Sequence, residues 1–516
     1  MPSVADRRML IACAARKTNM NSTLVSRTVV LTGIVLLAAC ASMDRNPAAP
    51  RQITAASLGV AETRVDWPKD DWWLRYGDPQ LDQLVADGLA GNPSLDAARA
   101  RVDRARAAAG VARAALLPQI NGNAEIVYQK YSENYIFPPP LAGNWQTDNR
   151  MTLDFVYEID FWNKNGAALQ AALSQAEAAG ADAQAARIVV TTNIARAYFN
   201  LQRLFAQRDV SLAAIAQRDE VVRLTAQRFS AGIDTKVEVK QAEAALATVK
   251  TELAQYDEGI EIARNQLAAL AGAGPERGAG IAAVKAATSP TLAPPTAIPL
   301  DIVARRPEIT ASRWRVEAAQ HDVDVAKALF YPNVNIAAFA GFTSIGLSRF
   351  LLAGSGIAGA GPAIHLPIFE GGRLNANLRG RNADTDLAIS TYNQAVIDAV
   401  HDVADAVASI AGLARVSVEQ ARARAATTEA YDLAVIRYRA GLGNYLTVLT
   451  AQTQQLVQDR LDADLKARAF ELDVNLARAL GGGFVDTSNV NVSAAGHSHP
   501  GAALSTPIAF EGVLHD

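Results

Sequence analysis

Long apolar runs are almost absent from this sequence. The sustained one, Val29 to Ala39, covers about eleven residues, too short to cross a bilayer as a helix but suited to the h-region of a secretory signal. Nothing downstream reaches the roughly eighteen residues of a spanning helix, so a chain that crosses a membrane must do so as a closed β-barrel. Cysteine is scarce too: there are two, Cys13 within the leader and Cys40 at its end. No thiol is left over for a disulfide or a thiolate metal site, and a chain this long needs neither to hold a core. Neither sign of charge dominates, with 49 Lys and Arg against 52 Asp and Glu and no long basic run, which argues against nucleic acid as the main partner. Aromatics make up only 6 % of residues. Alanine is abundant instead, and runs such as Ala167–Ala186 read as long helices that touch through small side chains.

The end of the leader carries an address. Arg27 precedes the apolar stretch, and Leu37-Ala38-Ala39-Cys40 resembles a bacterial lipobox, in which the cysteine is acylated and becomes the first mature residue. We expect residues 1–39 to be a signal peptide and Cys40 to carry lipid. Met20 stands at an ordinary distance upstream, so residues 1–19 read as a mis-assigned start or an unusually long n-region.

The chain also repeats itself. Asn92-Pro93-Ser94-Leu95 opens an Ala/Arg-rich helical stretch that ends at Leu116-Leu117-Pro118, and Arg306-Pro307-Glu308-Ile309 opens one that ends at Phe330-Tyr331-Pro332. Arg228-Phe229-Ser230-Ala231-Gly232 matches Arg437-Tyr438-Arg439-Ala440-Gly441, and the Leu267–Gly272 run matches Leu476–Gly481. The first pair is offset by 214 residues (92 to 306) and the later ones by 209 (232 to 441), so a five-residue length difference lies between them. Two copies of about 180 residues are too long for solenoid repeats and read as a duplication. The expected division is a lipidated segment 40–84, repeats at 85–272 and 301–482, a Gly/Pro/Ala-rich linker at 273–300 and a flexible tail at 483–516.

Each half follows one plan: helix, strand pair, very long helix, tight turn, long helix. Met151, Leu153, Phe155, Tyr157, Ile159 and Phe161 alternate with Thr152, Asp154, Val156, Glu158 and Asp160, giving one apolar and one mostly polar face. A soluble sandwich shows the same alternation; aromatics on one face and carboxylates on the other fit a strand between lipid and a wet lumen. Its partner is expected at 119–131, across a loop containing Pro138-Pro139-Pro140 and Gly143-Asn144. The second half offers strands at 334–342 and 356–369, the last weakened by Pro362 and Pro367.

A stretch without proline then runs from about Asn163 to Ser230, a helix roughly 100 Å long if unbroken. Ile188, Thr191 or Thr192, Ala195 and Phe199 follow coiled-coil spacing within it, and Gly180 and Gly259 mark possible breaks in the two first-half rods. The bland alternative is a compact bundle with unseen turns. Gly232 and Gly441 supply the left-handed residue that ends a helix. Thr235 and Glu238 have capping-box spacing for the next helix, and Asn444 is the matching cap in the second half.

Together these residues resemble the TolC-like outer-membrane efflux family, and within it the lipidated OprM/NodT-like branch. Trp72-Trp73-Leu74-Arg75-Tyr76-Gly77-Asp78-Pro79-Gln80-Leu81 looks like that branch's N-terminal signature. Leu116-Leu117-Pro118, Phe330-Tyr331-Pro332 and Ile368-Phe369-Glu370-Gly371-Gly372 sit where the family enters and leaves its strands. Arg437–Gly441, continuing Asn444-Tyr445-Leu446-Thr447-Val448-Leu449, looks like its hairpin tip. The resemblance covers about residues 65–482 and implies a mainly α fold with a membrane β-barrel. Long antiparallel α-helical coiled coils would form a tunnel, and four strands per subunit would complete a trimeric 12-stranded barrel. It implies a homotrimer in outer-membrane lipid, a periplasmic adaptor (membrane-fusion) protein docking the hairpin tips, and an inner-membrane RND-type transporter. The tip residues so assigned are Gly232, Asp234, Glu238, Gly441, Asn444, Thr447 and Thr450. The family often carries carboxylates in the second-half tip as a selectivity ring; here those positions match Thr447 and Thr450. The acidic candidates are Asp234 and Glu238 in the first-half tip, whose plainer reading is helix capping and dipole compensation.

Catalytic signals are weak. Gly354-Ser355-Gly356-Ile357-Ala358-Gly359 has dinucleotide spacing but runs into Pro362 instead of opening a helix. No Walker-type loop occurs, no nucleophile stands beside a base, and His497 and His499 lie in a flexible tail. We therefore expect no catalytic residue, cofactor, metal or nucleic-acid partner. The leading expectation is a passive exit duct for small molecules. Alternatives are a channel for type I protein secretion, a lipid-anchored periplasmic coiled-coil scaffold without a barrel and, last, a hydrolase.

Overall fold

The structure, a computed structural model, describes residues 50–53, 67–284 and 302–486. The leader, Cys40, most of the 273–300 linker and the tail from 487, with His497 and His499, lie outside them. The described chain forms α1 (Pro79–Gly91), α2 (Pro93–Ala114), β1 (Gln119–Lys130), β2 (Trp145–Ile159), α3 (Lys164–Ser230), α4 (Lys236–Leu270) and α5 (Glu276–Ala279). The second half gives α6 (Ile302–Arg305), α7 (Pro307–Ala328), β3 (Asn333–Ile345), β4 (Gly356–His365), α8 (Arg373–Arg439) and α9 (Tyr445–Ala479).

The duplication is visible in the lengths. Helices α2 and α7 have 22 residues each, α3 and α8 have 67, and α4 and α9 have 35. The five-residue difference therefore falls between Ala114 and Lys164, in the strand region. Both α2 and α7 start on a proline, whose missing N–H costs nothing at the first helical position. Asn92 additionally caps α2 by accepting from the Ser94 amide at 2.9 Å.

Neither glycine breaks its rod. A Cβ at Gly180 would meet open space, and Gly259 lies against Leu204, so each removes only a propensity increment. At about 1.5 Å per residue, α3 and α8 are rods of about 100 Å. Ile188, Thr191, Thr192, Ala195 and Phe199 are all buried.

The halves are joined by the segment before α1. Trp72–Tyr76 forms a single 3₁₀ turn closed by Gly77 at φ 62°. Trp72, Trp73 and Tyr76 are buried, and the Tyr76 ring meets both Phe199 of α3 and Phe470 of α9, which stack at 4.4 Å. Arg75 and the Tyr76 hydroxyl both donate to Asp473 of α9, at 2.6 and 2.7 Å. Leu81, Leu84 and Val85 of α1 complete this core, each fully buried side chain contributing about 1.5–3 kcal/mol.

The four strands make one antiparallel sheet in sequence order. Strand β2 starts earlier than expected because its ladder with β1 runs to Trp145 opposite Lys130. It stops at Ile159 rather than Phe161, because the Asp160 carboxylate turns back to accept the Gly166 amide and opens α3. Strand β4 stops at His365 rather than Phe369, since its partner β3 begins at Asn333, opposite His365. Pro362 is accommodated within β4, opposite Ile336 of β3.

Cross-strand register sorts the side chains. Ile120, Ala124, Ile126 and Tyr128 share a face with Met151, Leu153, Phe155, Tyr157 and Ile159, with Val334, Ile336 and Phe342, and with Pro362 and Ile364. The opposite face holds Asn121, Asn123, Glu125, Asp148, Arg150, Asp154, Glu158 and Asn335. One face suits lipid and the other water, as in a membrane barrel. Among the described residues no helix is long and apolar enough to cross a membrane.

Candidate functional site

The two hairpin tips, α3–α4 and α8–α9, form the candidate site. Both turns have the same geometry. Gly232 (φ 71°) donates to the Phe229 carbonyl and Ile233 to that of Arg228; Gly441 (φ 75°) donates to Tyr438 and Leu442 to Arg437. These paired 6→1 and 5→2 bonds are Schellman motifs, which satisfy the last carbonyls of each rod and require a left-handed residue. The Thr235 side chain caps α4 on the Val237 amide, and the Glu238 carboxylate accepts from the Thr235 amide at 2.9 Å, completing the capping box. Asn444 caps α9 by accepting from the Thr447 amide at 3.0 Å and from its hydroxyl at 2.8 Å. Thr450 turns its hydroxyl onto the Leu446 carbonyl of its own helix.

Asp234 does something the sequence did not disclose. Its carboxylate takes two bonds from the Arg228 guanidinium, at 2.8 and 3.2 Å, and a third from the Tyr438 hydroxyl of the other hairpin. Arg228 also donates to the Tyr438 carbonyl at 2.9 Å and lies over the Tyr438 ring at 4.4 Å. The Tyr438 side chain is fully buried, with Tyr445 and Val448 beside it. Arg439 adds an outer ion pair to Glu220 of α3 at 3.3 Å.

Burial works against ionisation of Asp234. The hydrogen bonds from Arg228 and Tyr438 and the charge of Arg228 outweigh it, holding the carboxyl below the usual range. Burial, followed by the hydrogen bond to Asp234 and its negative charge, raises the Tyr438 hydroxyl well above its ordinary value. Glu238 is lowered chiefly by its bond from the Thr235 side chain. Both acidic candidates are thus occupied, Asp234 in an inter-hairpin latch and Glu238 in a helix cap. Arg228 and Tyr438 were visible only as parts of the repeated tip motif. Tyr438 lies 204 residues from Asp234, and no local spacing connects them.

A four-stranded sheet with a lipid face and a wet face, continued by 100 Å rods to latched tips, defines a membrane duct with a long periplasmic extension. The comparisons agree. The profile of the outer membrane efflux protein family matches residues 84–273 and 299–482, and the chain belongs to that family. It is 40 % identical over 363 residues to the fusaric acid resistance protein FusA of Burkholderia cepacia, covering 69 % of this chain and 68 % of that one. It is 29 % identical over 467 residues to the multidrug resistance outer membrane protein MdtP of Escherichia coli (strain K12), covering 88 % and 96 %. The crystal structure of the outer membrane protein VceC from Vibrio cholerae superposes with a TM-score of 0.75 at 37 % identity, covering 81 % of this chain and all of that one. The Campylobacter jejuni CmeC channel, at 23 % identity and a TM-score of 0.77, shares the fold. The chain is an outer-membrane channel of a tripartite efflux pump, reaching into the periplasm.

Proposed function

We propose that three copies close one barrel and that the duct is passive, opening at its hairpin tips. The observation that carries this is the sheet itself. Four strands are too few to close, and unpaired edges are not tolerated in lipid. Strands β1 and β4 run in opposite directions with their outer edges free, so β4 of one copy beside β1 of the next continues the antiparallel order. Three copies give twelve strands, in keeping with the family resemblance. The division into repeats at 85–272 and 301–482 is supported by the matched helix lengths.

At the far end, Arg228, Asp234 and Tyr438 fix the spacing of the two hairpins in each copy, so parting them widens an aperture. Gly232, Asp234, Glu238, Gly441, Asn444, Thr447 and Thr450 belong to this tip. Exposed Ile233, Val237, Leu442 and Leu446 there offer apolar surface to a periplasmic adaptor. An RND-type transporter in the inner membrane would supply the energy, no step of chemistry falling to this chain. Cys40, acylated, would anchor the N-terminal segment in the same membrane. The similarity to FusA and MdtP supports small molecules as cargo. The native mass of the detergent-extracted protein tests the assembly: three chains support it, and a stable monomer leaves the sheet edges open and rules it out.

A further inference from the structure

The two strand-to-strand loops at the outer end of the sheet differ. The first-half loop has fourteen residues (131–144) and its second-half counterpart ten (346–355). Register shows which side the longer loop takes. Lys130 pairs with Trp145, and the ladder continues through Tyr131 and Asn144, whose backbones bond at 3.1 Å. By alternation Tyr131 falls on the polar face, with Gln129 and Glu125 before it. The side-chain contacts agree, since the Tyr131 hydroxyl donates to Asp148 of that face at 3.3 Å and Gln129 donates to the same carboxylate at 3.4 Å.

The rest of the loop is built on Tyr131, which is 6 % exposed. The Phe137 ring meets it edge-on at 4.9 Å, and Tyr135 packs against Phe137 at 5.7 Å. The far limb is closed by the Leu141 amide on the Pro138 carbonyl and by the Asn144 side chain on the Pro140 carbonyl. Pro138-Pro139-Pro140 stiffens that limb, because each ring fixes its own φ. Tyr135 and Ile136 are left at the apex, 69 % and 80 % exposed. Two largely exposed apolar side chains thus stand at the apex of a loop whose anchor, Tyr131, is tied to the wet face.

We infer that the 131–144 loop folds inward over the barrel lumen and constricts its outer mouth, with Tyr135 and Ile136 of each copy facing the pathway. This rests on the trimeric duct reading. The anchor at Asp148 lies below the apex, so cargo leaving the barrel passes a carboxylate-lined wall and then an aromatic and aliphatic collar. Apolar constrictions of this kind limit passage by size and by dewetting. The collar makes the exit, as well as the periplasmic tip, a determinant of which molecules pass.

The experiment uses the full chain with Ile136→Cys, reconstituted in planar bilayers and exposed on the outer side to a cationic methanethiosulfonate, with labelling verified by mass. Single-channel conductance is expected to fall at least twofold on modification. Ile126→Cys, on the lipid face, and the unsubstituted protein should stay within the recording error under the same reagent. A labelled Ile136→Cys channel with unchanged conductance places the apex outside the pathway and overturns the inference. If neither the unsubstituted protein nor the tip-loosened Asp234→Ala variant ever conducts, the duct reading itself fails and takes the collar with it.

Discussion

Replacing Asp234 by alanine should loosen the tips, and the structure sets the size of the effect. The Arg228 and Asp234 side chains are 12 % and 11 % exposed, near the buried limit rather than the surface one. Exposed ion pairs contribute about 0–1 kcal/mol, whereas breaking a buried pair costs about 3–5 kcal/mol. Removing the carboxylate strips two bonds from Arg228 and the acceptor of the Tyr438 hydroxyl, but Arg228 keeps the Tyr438 carbonyl. Some relief from that carbonyl and from residual solvent brings the expected loss to about 2–3 kcal/mol per subunit, roughly 30- to 150-fold in the equilibrium between joined and parted hairpins. Single-channel recording is the assay: Asp234→Ala should give larger or longer openings than the unsubstituted protein. Asp234→Asn, which keeps an acceptor for Tyr438 but loses the charge, should fall between them. A double-substitution cycle with Arg228→Ala isolates the pair, since the two changes should not add. Openings unchanged within twofold in Asp234→Ala, at intact native mass, would refute the latch.

Three further outcomes follow from the same structure. The Asp234 carboxyl is lowered in the folded state, so its contribution is complete above the ordinary aspartate value of about 3.9 and is lost as pH falls through the lower folded value. Channel openings should therefore show no Asp234-dependent change between pH 8 and 5, and a transition in that window that vanishes in Asp234→Asn contradicts the assignment. Leu153→Lys puts a charge on the lipid face at a cost of about 2–4 kcal/mol near the midplane, whereas Asn121→Lys faces water. The first should deplete the outer-membrane fraction on a sucrose gradient and the second should not; equal fractions would reverse the assignment of faces. Cys40→Ser should abolish incorporation of labelled palmitate, and persistent label would place acylation elsewhere.

Much of this architecture was legible because it is periodic or punctuated. The period-two run from Met151, the proline-free stretch to Ser230 and the Gly232 and Gly441 stops each encode local geometry, and the duplication lets one half check the other. Strand ends were less legible. Phe161 continues the alternation, but Asp160 captures the Gly166 amide, and that competing side-chain bond has no periodic signature. Phe369 was misplaced because the end of β4 is set by where β3 begins, a property of pairing rather than of either segment. The latch and the joint between halves were hidden for a deeper reason. Tyr438 reaches Asp234, and Arg75 reaches Asp473, across hundreds of residues, so only the packed rods bring them together. Asp234 and Glu238 could be sorted into latch and cap only once Tyr438 was in place.

Single-channel conductance of the purified full chain in a planar bilayer tests the central claim most directly. Discrete, uniform steps from a particle of three chains are expected, with the step size insensitive to nucleotide. A monodisperse protein that inserts but never conducts, even with Asp234→Ala at the tip, would contradict it and favour a lipid-anchored coiled-coil scaffold.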